Sequence, residues 1–187
     1  MQQGLRSAEG RVRRLRARRF RGQGLEFRPL TPDDRRLFVG LFGSPEVMRY
    51  VADPFPPSQA DEAFEGLMVA TAGPRPSKLR WTMWHDGFDD AVGFCGVNWS
   101  GEDARDGELG LMLRPQCWGR GWCEDGLRAL VVECAGARGG GLFCQSYESH
   151  VRVRHIVEQK LGLRVSERLP GTEALGPLLR YEFPDPA

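Results

Sequence analysis

The residues of this chain best suited to chemistry lie between Glu108 and Glu124, which read E-L-G-L-M-L-R-P-Q-C-W-G-R-G-W-C-E. An apolar run leads into a turn with two glycines, and helical spacing begins just beyond it. The unpaired N–H groups of a helix start and the positive end of its dipole then converge on the turn, an arrangement that binds phosphate. Two phosphate-binding templates are excluded by single residues. The dinucleotide pattern G-x-G-x-x-G needs a glycine where Glu124 stands, and an acidic side chain there repels a pyrophosphate. The Walker pattern needs Lys followed by Ser or Thr, and the turn has neither.

What remains resembles motif A of the GCN5-related N-acetyltransferases (GNAT), in which the turn R/Q-x-x-G-x-G/A holds the pyrophosphate of acetyl coenzyme A. The closest likeness is to the ribosomal-protein N-acetyltransferase (RimJ/RimL-like) branch, whose segment tends to read E-L-G-Y-W-L-x-P-x-Y-W-G-K-G-Y-A. Two registers fit, Gln116-x-x-Gly119-x-Gly121 and Trp118-x-x-Gly121-x-Cys123, and the spacing from Pro115 favours the second. The resemblance implies an acetyl coenzyme A site made by the turn residues Trp118, Gly119, Arg120, Gly121, Trp122, Cys123 and Glu124, with Leu111, Met112 and Leu113 on the strand before them.

Further landmarks follow in the family's order. Residues 25–34 look like its opening strand and helix start, 44–50 like its next helix and 92–96 like its third strand. Residues 154–163 match its helix after the fifth strand if Gln159 is a one-residue insertion. His150 and Val153 then take positions where the family often has Asn and Ser. Gln145 and Val157 fall where some relatives carry a general-base Glu and a Tyr acid. The resemblance implies an αβα sandwich around a central mixed, mostly antiparallel sheet of about seven strands, the fourth and fifth splayed to admit the cofactor. It implies acetyl transfer from acetyl coenzyme A to a primary amine, on a protein N-terminus or a small molecule, by direct attack in a ternary complex and without metal.

Amine acetylation asks first for a neutral amine held beside a thioester, and positioning alone removes several kcal/mol of barrier. A backbone N–H near Leu111 to Leu113, where the fourth strand is expected to bulge, would steady the oxyanion. Glu108, at the start of that strand, could take the amine proton through water, and His150 could take it directly. Glu108 reads equally as a solvated carboxylate, and His150 as a hydrogen-bonding residue at a helix start. His85 and His155 have no metal-ligand spacing. Trp81, Trp84 and Trp99 read as core, although Trp84 and Trp99 could line an acceptor pocket.

The elements that must position these groups are readable from periodicity. Alternation gives strands at 25–30, 79–84, 91–99, 108–113, 142–147, 163–169 and 178–183. Thr31 with Pro32 starts a helix that Gly43 ends, and short helices begin near Ser44 and Ser58. A long helix follows Gly121 up to the breaker Gly139-Gly140-Gly141, and another runs from about His150 to Leu161.

Composition bounds the rest. The 187 residues, 41% hydrophobic and 27% charged, suit one folded domain rather than two. Five cysteines without a CxxC pair suggest neither a disulfide framework nor a zinc site, and a reducing cytoplasm fits them. No apolar run is long enough for a membrane span, nor is there a signal-peptide pattern. Residues 1–24 hold eight arginines against Glu9, a charge of +7, so the remainder carries −6 of the total of +1. This stretch reads as a flexible basic arm ahead of a domain spanning 25–187. If helical, its Val12, Leu15 and Phe20 would share one face. Its arginines suggest a weak RNA or ribosome contact and keep a second reading open, a catalytically impaired coenzyme-A-binding module docked on nucleic acid. The loops around Asp86, Asp89, Asp90, Glu102, Asp103 and Asp106 could attract a cationic amine. A monomer and a homodimer are both compatible with the sequence.

Overall fold

A computed structural model describes residues 16–101 and 103–185. Among them eight strands form one sheet in the order β1-β2-β3-β4-β5-β6-β8-β7. They are β1 (Phe20–Gly22), β2 (Leu25–Pro29), β3 (Lys78–Trp84), β4 (Gly93–Asn98), β5 (Gly107–Leu113), β6 (Leu142–Tyr147), β7 (Val165–Thr172) and β8 (Gly176–Phe183). Every neighbouring pair is antiparallel except β5 and β6. The helices are α1 (Arg35–Phe42), α2 (Pro45–Met48), α3 (Pro57–Thr71), α4 (Trp122–Cys134) and α5 (Val151–Arg154), the last continuing as a π-helical segment over His155–Lys160.

Strand alternation divides the side chains between two cores. Leu79, Trp81 and Met83 of β3, Cys95 and Val97 of β4, and Leu109 and Leu113 of β5 point to one face, where Leu127, Leu130 and Cys134 of α4 cover them. Phe94 of β4 and Met112 of β5 point to the other, against Leu37, Phe38 and Leu41 of α1 and Phe64 and Leu67 of α3. On the α4 side, Val157 of the π-helical segment packs with Cys144, Leu179 and Tyr181. The sandwich has its expected three layers.

The sheet has eight strands rather than seven because the basic stretch supplies the first. Phe20 stacks on its cross-strand partner Phe27 with ring centroids 4.3 Å apart, and meets Trp81 edge-on at 5.6 Å. The Trp81 indole donates to Arg18 O at 2.8 Å. Arg19, Arg21 and Arg28 gather around the Glu26 carboxylate at 3.0, 3.5 and 2.9 Å. Two arginines of the stretch thus serve to attach it to the sheet, and Phe20 lies in a strand. Residues 1–15, with Val12 and Leu15 of the expected helical face, and Glu102 of the acidic loop cluster lie outside the described residues. Among the described residues no helix is long and apolar enough to cross a membrane.

Candidate active site

β5 and β6 are the parallel pair, and they hold together for only two residue pairs, Gly107↔Leu142 and Glu108↔Phe143. Beyond Glu108 the strands part. β5 stays in unbroken register with β4 from Asn98↔Glu108 to Gly93↔Leu113, so the expected bulge is absent and β6 makes the opening. Its partner β8 holds β6 along its whole length, from Leu142↔Phe183 to Tyr147↔Leu178, and carries it away from β5. Across the closed end, Gly107 N–H donates to Gly141 O at 2.9 Å. Alternation turns the N–H and C=O groups of Leu109, Leu111 and Leu113 toward the same edge, which faces the gap. The Leu113 carbonyl is taken there by the Trp118 indole at 2.9 Å.

At the open end of this cleft the chain turns into α4. Gly119 and Gly121 have φ of 74° and 84°, left-handed values that cost a side-chain-bearing residue about 1–2 kcal/mol. That conformation aims the start of α4 at the turn, where the N–H groups of Trp122, Cys123 and Glu124 have no intrahelical acceptor. Its N-cap is Gly121, which has no side chain to cap the helix. Glu124, which on sequence alone would oppose an anion, is bound by Arg128 at 2.9 and 3.1 Å. Arg120 lies over the rings of Phe88 and Trp122 at 5.3 and 5.4 Å, leaving an exposed guanidinium beside the turn. Gly126 brings α4 close to β5, since a Cβ there would stand 2.5 Å from Leu111 Cδ1 and 2.8 Å from Met83 Cε. These features fit a bound pyrophosphate with an extended arm running down the cleft.

The chain matches the family description "Acetyltransferase (GNAT) domain" over residues 24–164. It belongs to the GNAT acetyltransferase family. No curated protein matches it in sequence. Among solved structures, its fold resembles a spermidine N-acetyltransferase from Vibrio cholerae, determined with CoA and spermine (TM-score 0.71, 13% identity, 86% of this chain and 95% of that one). It also resembles a GNAT-family acetyltransferase from Bacillus anthracis (0.68, 11%, 89% and 98%) and an acetyltransferase from Agrobacterium tumefaciens str. C58 (0.68, 18%, 90% and 95%).

On this GNAT frame the two candidate bases sit at opposite ends of the cleft. Glu108 is half-buried at the closed end, on the face covered by α1 and α3. Burial raises its carboxyl above the ordinary 4.5, partly offset by Arg80, by a hydrogen bond from Asn98 and by Arg180. His150 precedes α5, seven residues beyond Phe143 and thus past the end of β6. Its ring stacks on Tyr50 at 4.0 Å and 9°, and makes no capping hydrogen bond. Burial and Arg152 depress its pKa to about 4, so it is neutral near pH 7 and a weak base there.

The turn residues divide by what their side chains do. Trp118 faces inward onto β5, and Trp122 is buried beneath His85 (4.5 Å) and Phe88 (5.3 Å), so for both only the backbone is available at the turn. The Cys123 thiol is pushed up to about 12 by burial and by Glu124, which makes it a packing residue rather than a nucleophile. Trp99 belongs to the core; Trp84 is half-buried under Arg28, 4.0 Å from its ring. Val157 is buried, and Gln145 is half-buried on β6. Among the described residues no group of three His, Cys, Asp or Glu is placed to hold a metal.

Two groups near the site escape sequence reasoning. Arg80 and Asn98 reach Glu108 through strand register, which no local pattern reveals. Behind the cleft, Tyr181 of β8 donates to Glu158 Oε1 at 2.8 Å, and Arg154 Nε meets the same oxygen at 3.0 Å. The sequence signal for the first group would have been the alternation of Arg80, Asn98 and Glu108 to the polar side of three consecutive strands.

Proposed function

We propose that this protein transfers the acetyl group of acetyl coenzyme A to a primary amine by direct attack in a ternary complex. The observation that carries the reading is the parting of β5 from β6 after Glu108, with a glycine turn and the start of α4 at the open end. The N–H groups of Trp122, Cys123 and Glu124 and the Arg120 guanidinium hold the pyrophosphate. The edge of β5 from Leu109 to Leu113 aligns the extended arm, Met112 lies on the acceptor side, and the thioester reaches toward Glu108. Acetyl coenzyme A supplies an activated acyl group whose thiol is the leaving group.

The chain's own part is to orient and to move one proton. The amine approaches from the α1 and α3 face, where Glu108 points, while the coenzyme lies along α4. An N–H of Leu111 or Leu113 steadies the oxyanion. As nitrogen bonds to the carbonyl carbon, Glu108 takes the amine proton through water; the carbon–sulfur bond then breaks and the thiolate is protonated from solvent. A carboxyl raised above 4.5 is better matched to this task near neutral pH than an imidazole at about 4. The likeness of residues 108–123 to the RimJ/RimL-like branch supports a protein N-terminus or a small amine as acceptor. The docked-module reading draws no support from Arg19 and Arg21, whose guanidiniums engage Glu26.

The deciding experiment measures acetyl coenzyme A binding by calorimetry, and thiol release across a panel of polyamines, amino-acid amides and N-terminal peptides. Saturable binding with amine-dependent thiol release is expected. Binding without release from any amine would leave a coenzyme-binding module, and absence of binding would reject the reading.

A further inference from the structure

A polar row crosses the sheet at the closed end of the cleft. Register aligns Lys78 of β3 with Asn98 of β4, Asn98 with Glu108 of β5, and Glu108 with Phe143 of β6. The next row reads Arg80, Gly96 and Gly110. Gly96 lets the Arg80 side chain lie flat on the sheet, because a Cβ there would stand 2.7 Å from Arg80 Cδ and 2.8 Å from its Nη1. The guanidinium is held by carbonyls, donating through Nη1 to Leu79 O at 2.9 Å and Val97 O at 2.8 Å, and through Nη2 to Asn98 Oδ1.

Arg has donors only, so the atom of Asn98 that faces it must be the amide oxygen. The NH2 group of Asn98 is thereby turned to Glu108, its cross-strand partner, where donation to the carboxylate works against the rise in its pKa. We propose that Asn98 is the positioning residue for Glu108, with Arg80 fixing which edge of the Asn98 amide the carboxylate meets. The inference rests on the reading of Glu108 as the base. An amide free to flip would present oxygen to oxygen half the time, and the carboxylate would swing away. Anchored, it holds one Glu108 rotamer, favours the ionised carboxylate and leaves the second oxygen for a water. The other charged groups around Glu108 are Arg80 and Lys78 on β3, Arg180 and Glu182 on β8, and Asp106 before β5, with the Cys144 thiol on β6. Arg180 is occupied by Glu182 at 2.6 Å and lies over the Phe143 ring at 3.5 Å.

The test follows the Glu108 carboxyl itself, by carbon NMR of 13C-glutamate-labelled full chain, assigned by the signal lost in Glu108→Gln. Asn98→Ala removes the donor, and Asn98→Asp keeps the shape while turning an oxygen to Glu108. Both should move the Glu108 midpoint up by about one pH unit, from loss of a hydrogen bond to a charged group. With the best amine of the thiol-release panel, the lost carboxylate orientation should outweigh the gain in basicity, so kcat should fall roughly tenfold at neutral pH while the KM for acetyl coenzyme A holds. Arg80→Lys should move both quantities in the same direction. Unmoved midpoints in the folded Asn98 variants overturn the proposal. So does wild-type kcat in Asn98→Ala when Glu108→Gln is impaired. Wild-type turnover in Glu108→Gln would instead reject Glu108 as the base, an outcome separate from any Asn98 effect on its titration.

Discussion

Glu108 and Phe143 form the last ladder pair between β5 and β6, and the cleft begins one residue beyond them. The carboxylate therefore stands where two strands still pair on one side and the cleft opens on the other. Partial burial is the leading cause of its raised pKa, and Arg80, Asn98 and Arg180 keep the rise in check. A carboxyl so placed can be ionised at neutral pH and yet hold a proton better than one in bulk water.

Replacing Glu108 by Gln should lower kcat by about 10² to 10⁴ with little change in acetyl coenzyme A affinity, and His150→Ala should cost much less. The wild-type rate should rise with pH along a limb whose midpoint lies above 4.5, and the Gln variant should lack that limb. Stability should move the opposite way. A carboxyl raised in the folded state binds more protons folded than unfolded, so it costs stability as pH climbs through the unfolded and then the folded value. Glu108→Gln should thus unfold at a higher temperature than wild type at pH 7. A lower melting temperature would show that the carboxylate is a net structural asset.

Gly121 takes its left-handed φ of 84° at the position where the turn meets α4. Alanine there costs about 1–2 kcal/mol of backbone strain, which the turn relieves by swinging its N–H groups off target. Calorimetry should find weaker acetyl coenzyme A binding for Gly121→Ala. Gly121→Glu adds an anion to the same site and should weaken it by about tenfold or more. Equal affinity in the two variants and the wild type would remove the turn from the cofactor site.

The local patterns of the chain made much of this legible, and non-local pairing hid the rest. The Glu108–Leu113 alternation, the Gly119/Gly121 turn and the spacing of Leu127, Leu130 and Cys134 each act within one element, and β5, the turn and the start of α4 appear where they predict, although α4 ends at Cys134, short of the expected breaker at Gly139. Residues His155–Lys160 wind as a π-helix, where Leu161 N–H reaches Ile156 O five residues back, the kind of winding that an insertion at Gln159 would call for. β1 was obscured because arginine density dominates its neighbourhood, while Phe20 and the charge on Glu26 decide its pairing. The Asn98–Glu108 contact depends on a register that becomes visible only when three strands are aligned.

Glu26 is 8% exposed, and its pKa is lowered first by the hydrogen bond from Arg28, with Arg19 and Arg21 adding to the pull against the cost of burial. A carboxyl lowered in the folded state stabilises the fold above its unfolded value near 4.5, and that stability is lost as pH falls through the folded value. Glu26→Gln should therefore melt earlier than wild type at pH 7, with the gap closing in acid. A gap that persists unchanged at low pH would assign the loss to packing rather than charge.

Tyr181 tests whether the far side of the cleft supplies an acid. Its hydroxyl donates to Glu158 Oε1 at 2.8 Å, and burial followed by that bond pushes it up to about 12. Arg154 holds the same carboxylate, so one oxygen of Glu158 ties β8 to the segment that runs from α5 into its π-helical turn. The side chain is 0% exposed, and its proton is committed to Glu158. Tyr181→Phe should cost about 1.5–3 kcal/mol, the worth of a hydrogen bond to a charged group, which corresponds to a melting shift of about 3–12 °C. Glu158, having lost one of the two donors that lower its pKa, should titrate higher, so the variant should lose less of its stability on acidification than wild type does. Turnover at a temperature where both proteins are folded should stay close to wild type. A fall in kcat with the melting temperature preserved would instead make Tyr181 the group that returns a proton to the departing thiolate.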